Sequence, residues 1–202
     1  MDASGWDDRY AATELVWSAT PNQFVEQALA DLSPGRAVDL AAGEGRNAIW
    51  LARRGWTVTA VDFSQAGLEK GRRLAGDADV EWVCADATTW SAPEPVDLVV
   101  IAYLQLPADE RVAAIRNGFG ALAPGGTLFV VAHDSTNITE GTGGPQDPAV
   151  LYTAEDVLAD LDDGSFDVVR AERVAREVTA DDGHGGEERR TAYDALVHLC
   201  RR

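Results

Sequence analysis

The stretch from Arg36 to Ser64, RAVDLAAGEGRNAIWLARRGWTVTAVDFS, constrains this chain more than any other. Val38, Leu40 and Ala41 form a short apolar run ending in Gly43-Glu44-Gly45, after which Ala48, Ile49, Leu51 and Ala52 recur at helical spacing. That pattern reads as strand, glycine turn and helix. Arg53 and Arg54 suit the negative end of the helix dipole, Gly55 stops the helix, and Val58 to Val61 is β-rich before Asp62. A second strand parallel to the first requires a right-handed crossover and puts a ligand crevice at the carboxyl ends of the strands. Gly43 and Gly45 let backbone approach a ligand closely, and an acidic residue ending the second strand, here Asp62, is placed to hold the ribose hydroxyls of an adenosine.

Two ligands suit such a crevice, a dinucleotide and S-adenosylmethionine. Gly43 to Ala48 satisfies G-x-G-x-x-G/A, but Glu44 puts a carboxylate beside the amides that would receive a pyrophosphate. Asp39 lies two residues before Ala41, giving D-x-A-x-G-x-G, and its carboxylate at strand level suits a ligand ammonium. This run resembles the first motif of the class I S-adenosylmethionine-dependent methyltransferases, an acidic residue followed by G-x-G-x-G. The resemblance implies that the methionine part lies over the glycine loop and that Asp62, with Phe63 and Ser64 beside it, receives the ribose. Ala41 stands where the family has its first glycine, and its methyl group is expected to narrow the floor of the site. Gly45-Arg46-Asn47 and Trp6-Asp7-Asp8-Arg9-Tyr10 resemble the tellurite-resistance branch in particular, in which the latter segment closes over the cofactor. On that resemblance Trp6, Tyr10, Arg46 and Asn47 join the cofactor residues. Arg46 either anchors an anionic substrate or pairs with Glu44 or Asp8.

Length and charge bound the alternatives. A chain of 202 residues suits one domain with a single core, here divided into a lid-like segment 1–20, a cofactor-binding core 36–134 and a substrate-side remainder 135–202. Acidic residues number 34 against 17 basic, a formal charge of −17 that opposes docking on nucleic acid or an anionic membrane. Cys84 and Cys200 are too few for a disulfide framework and read as buried thiols of a cytoplasmic protein. The opening residues lack a leader pattern, and the most apolar stretch, Leu98 to Leu106, is too short to span a bilayer. No exposed apolar stripe fixes the oligomeric state, which stays open between monomer and dimer.

Outside the motif, Gly5 to Thr20 shows no clean period, so Trp6, Tyr10 and Trp17 either seal the core or serve as the lid. Pro21 opens a helix ended by Ser33-Pro34-Gly35, with Phe24, Val25, Ala28, Leu29 and Leu32 on its apolar face. Ser64 is an N-cap for a helix to about Ala75 with Leu68 and Leu74 inward, weakened by Gly67 and Gly71. Val80 to Cys84 is a third strand, followed by Asp86 and Ala87, which the resemblance places beside the adenine and which otherwise form a turn. Val96 to Ile101 is the doubly buried central strand. Ala102 and Tyr103 follow at its carboxyl end, Tyr103 being either a stacked wall of the crevice or a core aromatic. A helix from Ala108 to Leu122 turns through Pro124-Gly125-Gly126 into a fifth strand, Thr127 to Ala132, that delivers His133 and Asp134 to the crevice edge. His133 is the candidate base, and Asp134 points the other way on a strand. Thr139 to Pro148 has the composition of a mobile loop over that edge, and Thr153 with Asp156 forms a capping box. Strands at Phe166–Thr179 and Thr191–Cys200 close the sheet as a hairpin, in which Arg170, Arg173 and Arg176 read as surface pairs with Glu172 and Glu177. His184, in an acidic loop, matches no metal spacing.

The expected fold is therefore α/β, a Rossmann-like, doubly wound, seven-stranded and mostly parallel sheet with an antiparallel C-terminal hairpin strand and helices on both faces. The resemblance implies transfer of the S-adenosylmethionine methyl group to a small acceptor, such as a chalcogen oxyanion or a thiol, leaving S-adenosylhomocysteine. Such a transfer is an in-line displacement in which the protein chiefly aligns the reactants. Arg46, Tyr103 and His133 are the candidate acceptor-side residues, and His133 takes a proton if the acceptor is an amine or phenol. An NAD-dependent oxidoreductase and a non-catalytic S-adenosylmethionine or S-adenosylhomocysteine binder are the competing readings.

Overall fold

The computed structural model describes residues 3–13, 15–16, 18–161, 164–181 and 187–202. Its framework is a seven-stranded sheet in the order β3-β2-β1-β4-β5-β7-β6. The chain passes through α1 (Ala3–Ala12), α2 (Gln23–Leu29), β1 (Arg36–Leu40), α3 (Arg46–Arg53), β2 (Thr57–Asp62), α4 (Gln65–Ala75), β3 (Val80–Cys84) and β4 (Val96–Ala102). It continues through α5 (Ala108–Gly120), β5 (Leu122–His133), α6 (Asn137–Glu140), α7 (Ala154–Asp160), β6 (Phe166–Asp181) and β7 (Glu187–Arg201). The first five strands are parallel, and β7 runs antiparallel to β5 and to β6.

The nearly continuous apolar run of β4, interrupted only by Asp97, puts it at the sheet's centre, with apolar neighbours on both faces. Val99 and Ile101 pack with Ile115, Phe119, Tyr152 and Val157 under α5 and α7. Leu98 and Val100 pack with Val25, Leu29, Ala48 and Leu51 under α2 and α3. Alternation along β7 sends Val197 and Leu199 into the first layer and Leu196 into the second. Burying both faces removes apolar area from water at roughly 25 cal/mol per Å², the main force holding the layers together.

Local signals set most boundaries, and some differ from expectation. The helix expected to open at Pro21 starts at Gln23, because Asn22 is the N-cap and accepts from the Phe24 and Val25 amides. α5 ends at Gly120 because Leu122 already pairs with Val96, and the Arg201 guanidinium takes the carbonyls of Phe119, Gly120 and Leu122. The capping box at Thr153 and Asp156 is formed. The N-terminal stretch, which shows no period, is helical over Ala3–Ala12, and Tyr10 is its one buried residue; Trp17 lies outside the described residues, as does His184.

α4 reverses two expectations. Leu68 is fully buried, but Leu74 is 40% exposed, because six residues turn a helix by about 240° and carry it off the inner face. Gly67 and Gly71 do not merely weaken the helix. A β-carbon at Gly71 would collide with the Trp82 ring, and one at Gly67 would stand 3.0 Å from the Tyr10 ring. The glycines let β3 and α1 press against α4. The cysteines also depart from expectation, Cys84 being exposed and Cys200 half-buried. Replacing Leu68 with Ala should cost about 3 kcal/mol in urea unfolding, whereas Leu74→Ala should stay within about 0.5 kcal/mol.

Candidate functional site

The crevice begins where β1 ends. Ala41, Gly43 and Gly45 have φ of 64°, 57° and 73°, so alternate residues in the left-handed region coil the chain over the strand end into α3. Ala41 adopts the conformation that a glycine would take without strain. Two buried carboxylates fix this coil. Asp62 accepts from the Gly43 amide and the Ser64 amide, each at 2.8 Å. Asp39 Oδ2 accepts from the Ala48 amide at 2.9 Å, while Asp39 Oδ1 is buried without a hydrogen-bond partner. Burial pushes the Asp39 carboxyl up to about 7, against the Ala48 bond and the positive charge of Arg46. Burial also raises Asp62, opposed by its two amide bonds.

The N-terminal segment covers this end. Asp7 accepts from the Ser64 hydroxyl and from the Ala66 amide at 3.1 Å, so α1 is tied to the start of α4 one residue beyond Phe63. Tyr10 is buried, with the half-buried Trp6 ring 5.5 Å away. Glu44 does not face a ligand over the loop as its sequence position suggests. Its buried carboxylate accepts from the Val16 amide at 3.1 Å and pairs with Lys70 at 3.3 Å, so its charge is matched from within. Asn47, expected at the cofactor, turns away and accepts from the Asn22 amide at 2.9 Å, securing the N-cap of α2. Arg46 reaches Ser18 Oγ at 3.1 Å, with its guanidinium carbon 5.9 Å from the Tyr103 ring centroid.

Across the crevice, Tyr103 follows the last residue of β4, Ala102, with φ 59°, a strained conformation held by its amide bond to the Val131 carbonyl at 2.7 Å. Its hydroxyl donates to Asp194 Oδ2 at 3.0 Å, and burial, with the Asp194 charge, raises its pKa, so the phenol stays protonated. Asp194 is fully buried and accepts from Arg176 Nε at 2.8 Å. Burial pushes Asp194 up, but His133 and Arg176 outweigh it and hold the carboxyl below the usual range. His133 Nδ1 lies 3.3 Å from Asp194 Oδ1, off hydrogen-bond geometry, and its ring is 4.8 Å from that of Tyr103. The Gln105 side chain accepts from the His133 amide at 2.8 Å, and a β-carbon at Gly144 would stand 2.9 Å from the imidazole, so the loop after α6 lies directly on this ring.

The structure thus gathers His133, Tyr103 and Arg46 at one end of the sheet and adds Asp194, Arg176 and Gln105. Arg176 corrects the reading of a surface pair: Glu172 is taken by Arg170 and Glu177 by Arg189, whereas Arg176 turns inward. Asp194 left a sequence signal, the one carboxylate in the stretch Thr191–Cys200 that it shares with Leu196. Asp134 does not serve His133 and instead accepts from Thr136. Asp86 is exposed and accepts from the Thr88 amide and hydroxyl, and the next residue, Ala87, belongs to the core. Among the described residues no cluster of His, Cys, Asp and Glu could hold a metal ion, and no helix is long and apolar enough to cross a membrane.

Sheet order, reversed β7 and glycine coil define a Rossmann-like methyltransferase fold. Residues 37–126 match the model of a family described as a methyltransferase domain. The demethylmenaquinone methyltransferase of Clavibacter sepedonicus is 39% identical over 106 residues, 52% of this chain and 43% of that protein. The chain spans about half the length of the curated relatives it matches, 43% and 58% for the first two. Among solved structures, TehB from Haemophilus influenzae superposes with a TM-score of 0.75 at 16% identity, covering 98% of this chain and 67% of that one. The N-methyltransferase NodS from Bradyrhizobium japonicum WM9, solved with S-adenosylhomocysteine, gives a TM-score of 0.71 at 19% identity and 99% coverage of both chains.

Two outcomes test this geometry. Ala41→Gly should relieve left-handed strain and raise the melting temperature by about 2–4 °C, about 1 kcal/mol for a chain of this size. The folded protein holds the Asp39 proton to about pH 7, whereas the unfolded chain releases it near its ordinary 3.8, so stability attributable to this group falls as pH rises through that window. Asp39→Asn should therefore be more stable than the parent above about pH 7, by on the order of 1 kcal/mol or more, with the difference vanishing below about pH 4 in calorimetric melts.

Proposed function

We propose that this chain is an S-adenosylmethionine-dependent methyltransferase acting on a small-molecule acceptor. The observation that carries the reading is the buried, unpartnered Asp39 Oδ1 beneath a coil of left-handed residues. An isolated buried carboxylate oxygen costs stability unless a cation or donor reaches it. A ligand ammonium supplies that donor, and the methionine part of the cofactor carries one. Asp62, at the end of β2 beside Phe63 and Ser64, is placed for the ribose, each of its oxygens retaining a lone pair beyond its amide bond. The methyl group of the bound sulfonium arrives already activated.

The division of labour follows the chain. Residues 36–134 hold the cofactor and supply Tyr103 and His133 to an acceptor wall that residues 135–202 complete, while α1, with Trp6 and Tyr10, covers the cofactor end. The wall keeps Tyr103 a neutral phenol whose O–H is already given to Asp194, and His133 is the wall's candidate proton acceptor. Chalcogen oxyanions and small thiols are the acceptors to screen first, on the resemblance of the Gly45-Arg46-Asn47 run. A formal charge of −17 argues for a small molecule over a polyanionic partner. Against a dinucleotide stand Asp39 under the loop and the antiparallel β7.

Separate calorimetric titrations with S-adenosylmethionine, S-adenosylhomocysteine and NAD test this. The first two should bind and NAD should not. Asp39→Asn, expected to be the more stable protein, should bind S-adenosylmethionine on the order of tenfold more weakly, and Asp62→Ala should abolish binding. Binding of NAD alone would sink the assignment.

A further inference from the structure

Resting on that reading, we infer that Arg46 and Arg176 form a clamp for an anionic oxygen-bearing group on the acceptor, seated against the face of Tyr103. The two cations come from opposite sides of the crevice, Arg46 from the start of α3 and Arg176 from the hairpin arm formed by β6 and β7. Their guanidinium carbons stand 5.9 and 5.7 Å from the same ring centroid. Burial lowers Arg46, and the charge of Arg176 lowers it further. Like charges drawn together in a half-buried crevice repel more strongly than in water, and an anion between them removes that repulsion.

Three further features aim the pair. Asp194 binds Arg176 through Nε and so sets the plane of the guanidinium. The same carboxylate takes the Tyr103 hydroxyl and fixes the ring that both cations overlie. Tyr103 keeps a strained backbone at φ 59° to present that ring. Planar forks of this kind match carboxylates and other small oxyanions. His133, 4.8 Å from the Tyr103 ring, sits at the edge of the same seat.

The test is calorimetry on protein saturated with S-adenosylhomocysteine, using malonate as an organic carboxylate, selenite as an inorganic oxyanion, and malonamide and chloride at matched ionic strength as controls. At least one oxyanion should bind to the saturated protein while malonamide and chloride do not, and which one binds identifies the source. Arg176→Gln should weaken that binding at least tenfold, with Arg176→Lys intermediate and S-adenosylhomocysteine affinity unchanged in both. Arg46→Gln should lose the oxyanion as well. Oxyanion binding no tighter than chloride would overturn the clamp. Binding only in the absence of S-adenosylhomocysteine would overturn it too, because the cations would then belong to the cofactor carboxylate. Failure of S-adenosylhomocysteine itself to bind would instead count against the methyltransferase reading and is read in its own titration. Circular dichroism of the variants separates unfolding from loss of the clamp, and Arg176→Lys, which retains a cation for Asp194, decides the matter if Arg176→Gln does not fold.

Discussion

Asp62 bridges the Gly43 amide and the Ser64 amide, and the upper edge of the sheet depends on that bridge. Without it, nothing would hold the left-handed coil after β1 at a fixed height beside the start of α4. With it, the loop, the helix and the covering segment share one anchor, since Asp7 reaches the same turn through Ser64 and Ala66. Asp39 performs the matching task one strand over by holding the first turn of α3. The geometry is bought with two buried carboxylates whose titration burial shifts upward. A site meant to receive a cation tolerates that cost, because the ligand offsets it.

Much of the sheet was legible because its strands have plain physical signatures. β4 reads as doubly buried from a nearly continuous apolar run, and β7 declares its two faces through alternation. Ser64 and Thr153 announce their helices as caps. α1 was not legible, because a helix held by Asp7 and Tyr10 against a distant element needs no apolar stripe of its own. The mistake over Leu74 was a matter of helical phase. Gly67 and Gly71 were misread because propensity concerns an isolated helix, whereas these glycines admit rings from Tyr10 and Trp82.

The cofactor end was easier to read than the acceptor end for a reason of sequence distance. Asp39, Gly43, Gly45 and Asp62 lie within one β-α-β unit, so spacing alone relates them. Tyr103, His133, Arg176 and Asp194 come from four separate places in the chain, and only the register of β5, β7 and β6 joins them. His133 pairs across the ladder with Asp194, and no local pattern gives that register. Arg176 looked like a surface residue because its acidic neighbours were close in sequence, yet those neighbours pair elsewhere.

The strand order carries a consequence for biosynthesis. β7 follows β6 in the chain yet inserts between β5 and β6, so β5 presents an unpaired edge until β7 has left the ribosome. Asp194 and Arg176 reach the crevice only when β7 takes its place. A nascent chain can therefore coil its glycine loop early, but it cannot assemble the opposite wall of the crevice until β7 has emerged. A frameshift ahead of β7 would leave a protein that retains the first half of its site while exposing the long apolar flank of β5 to aggregation.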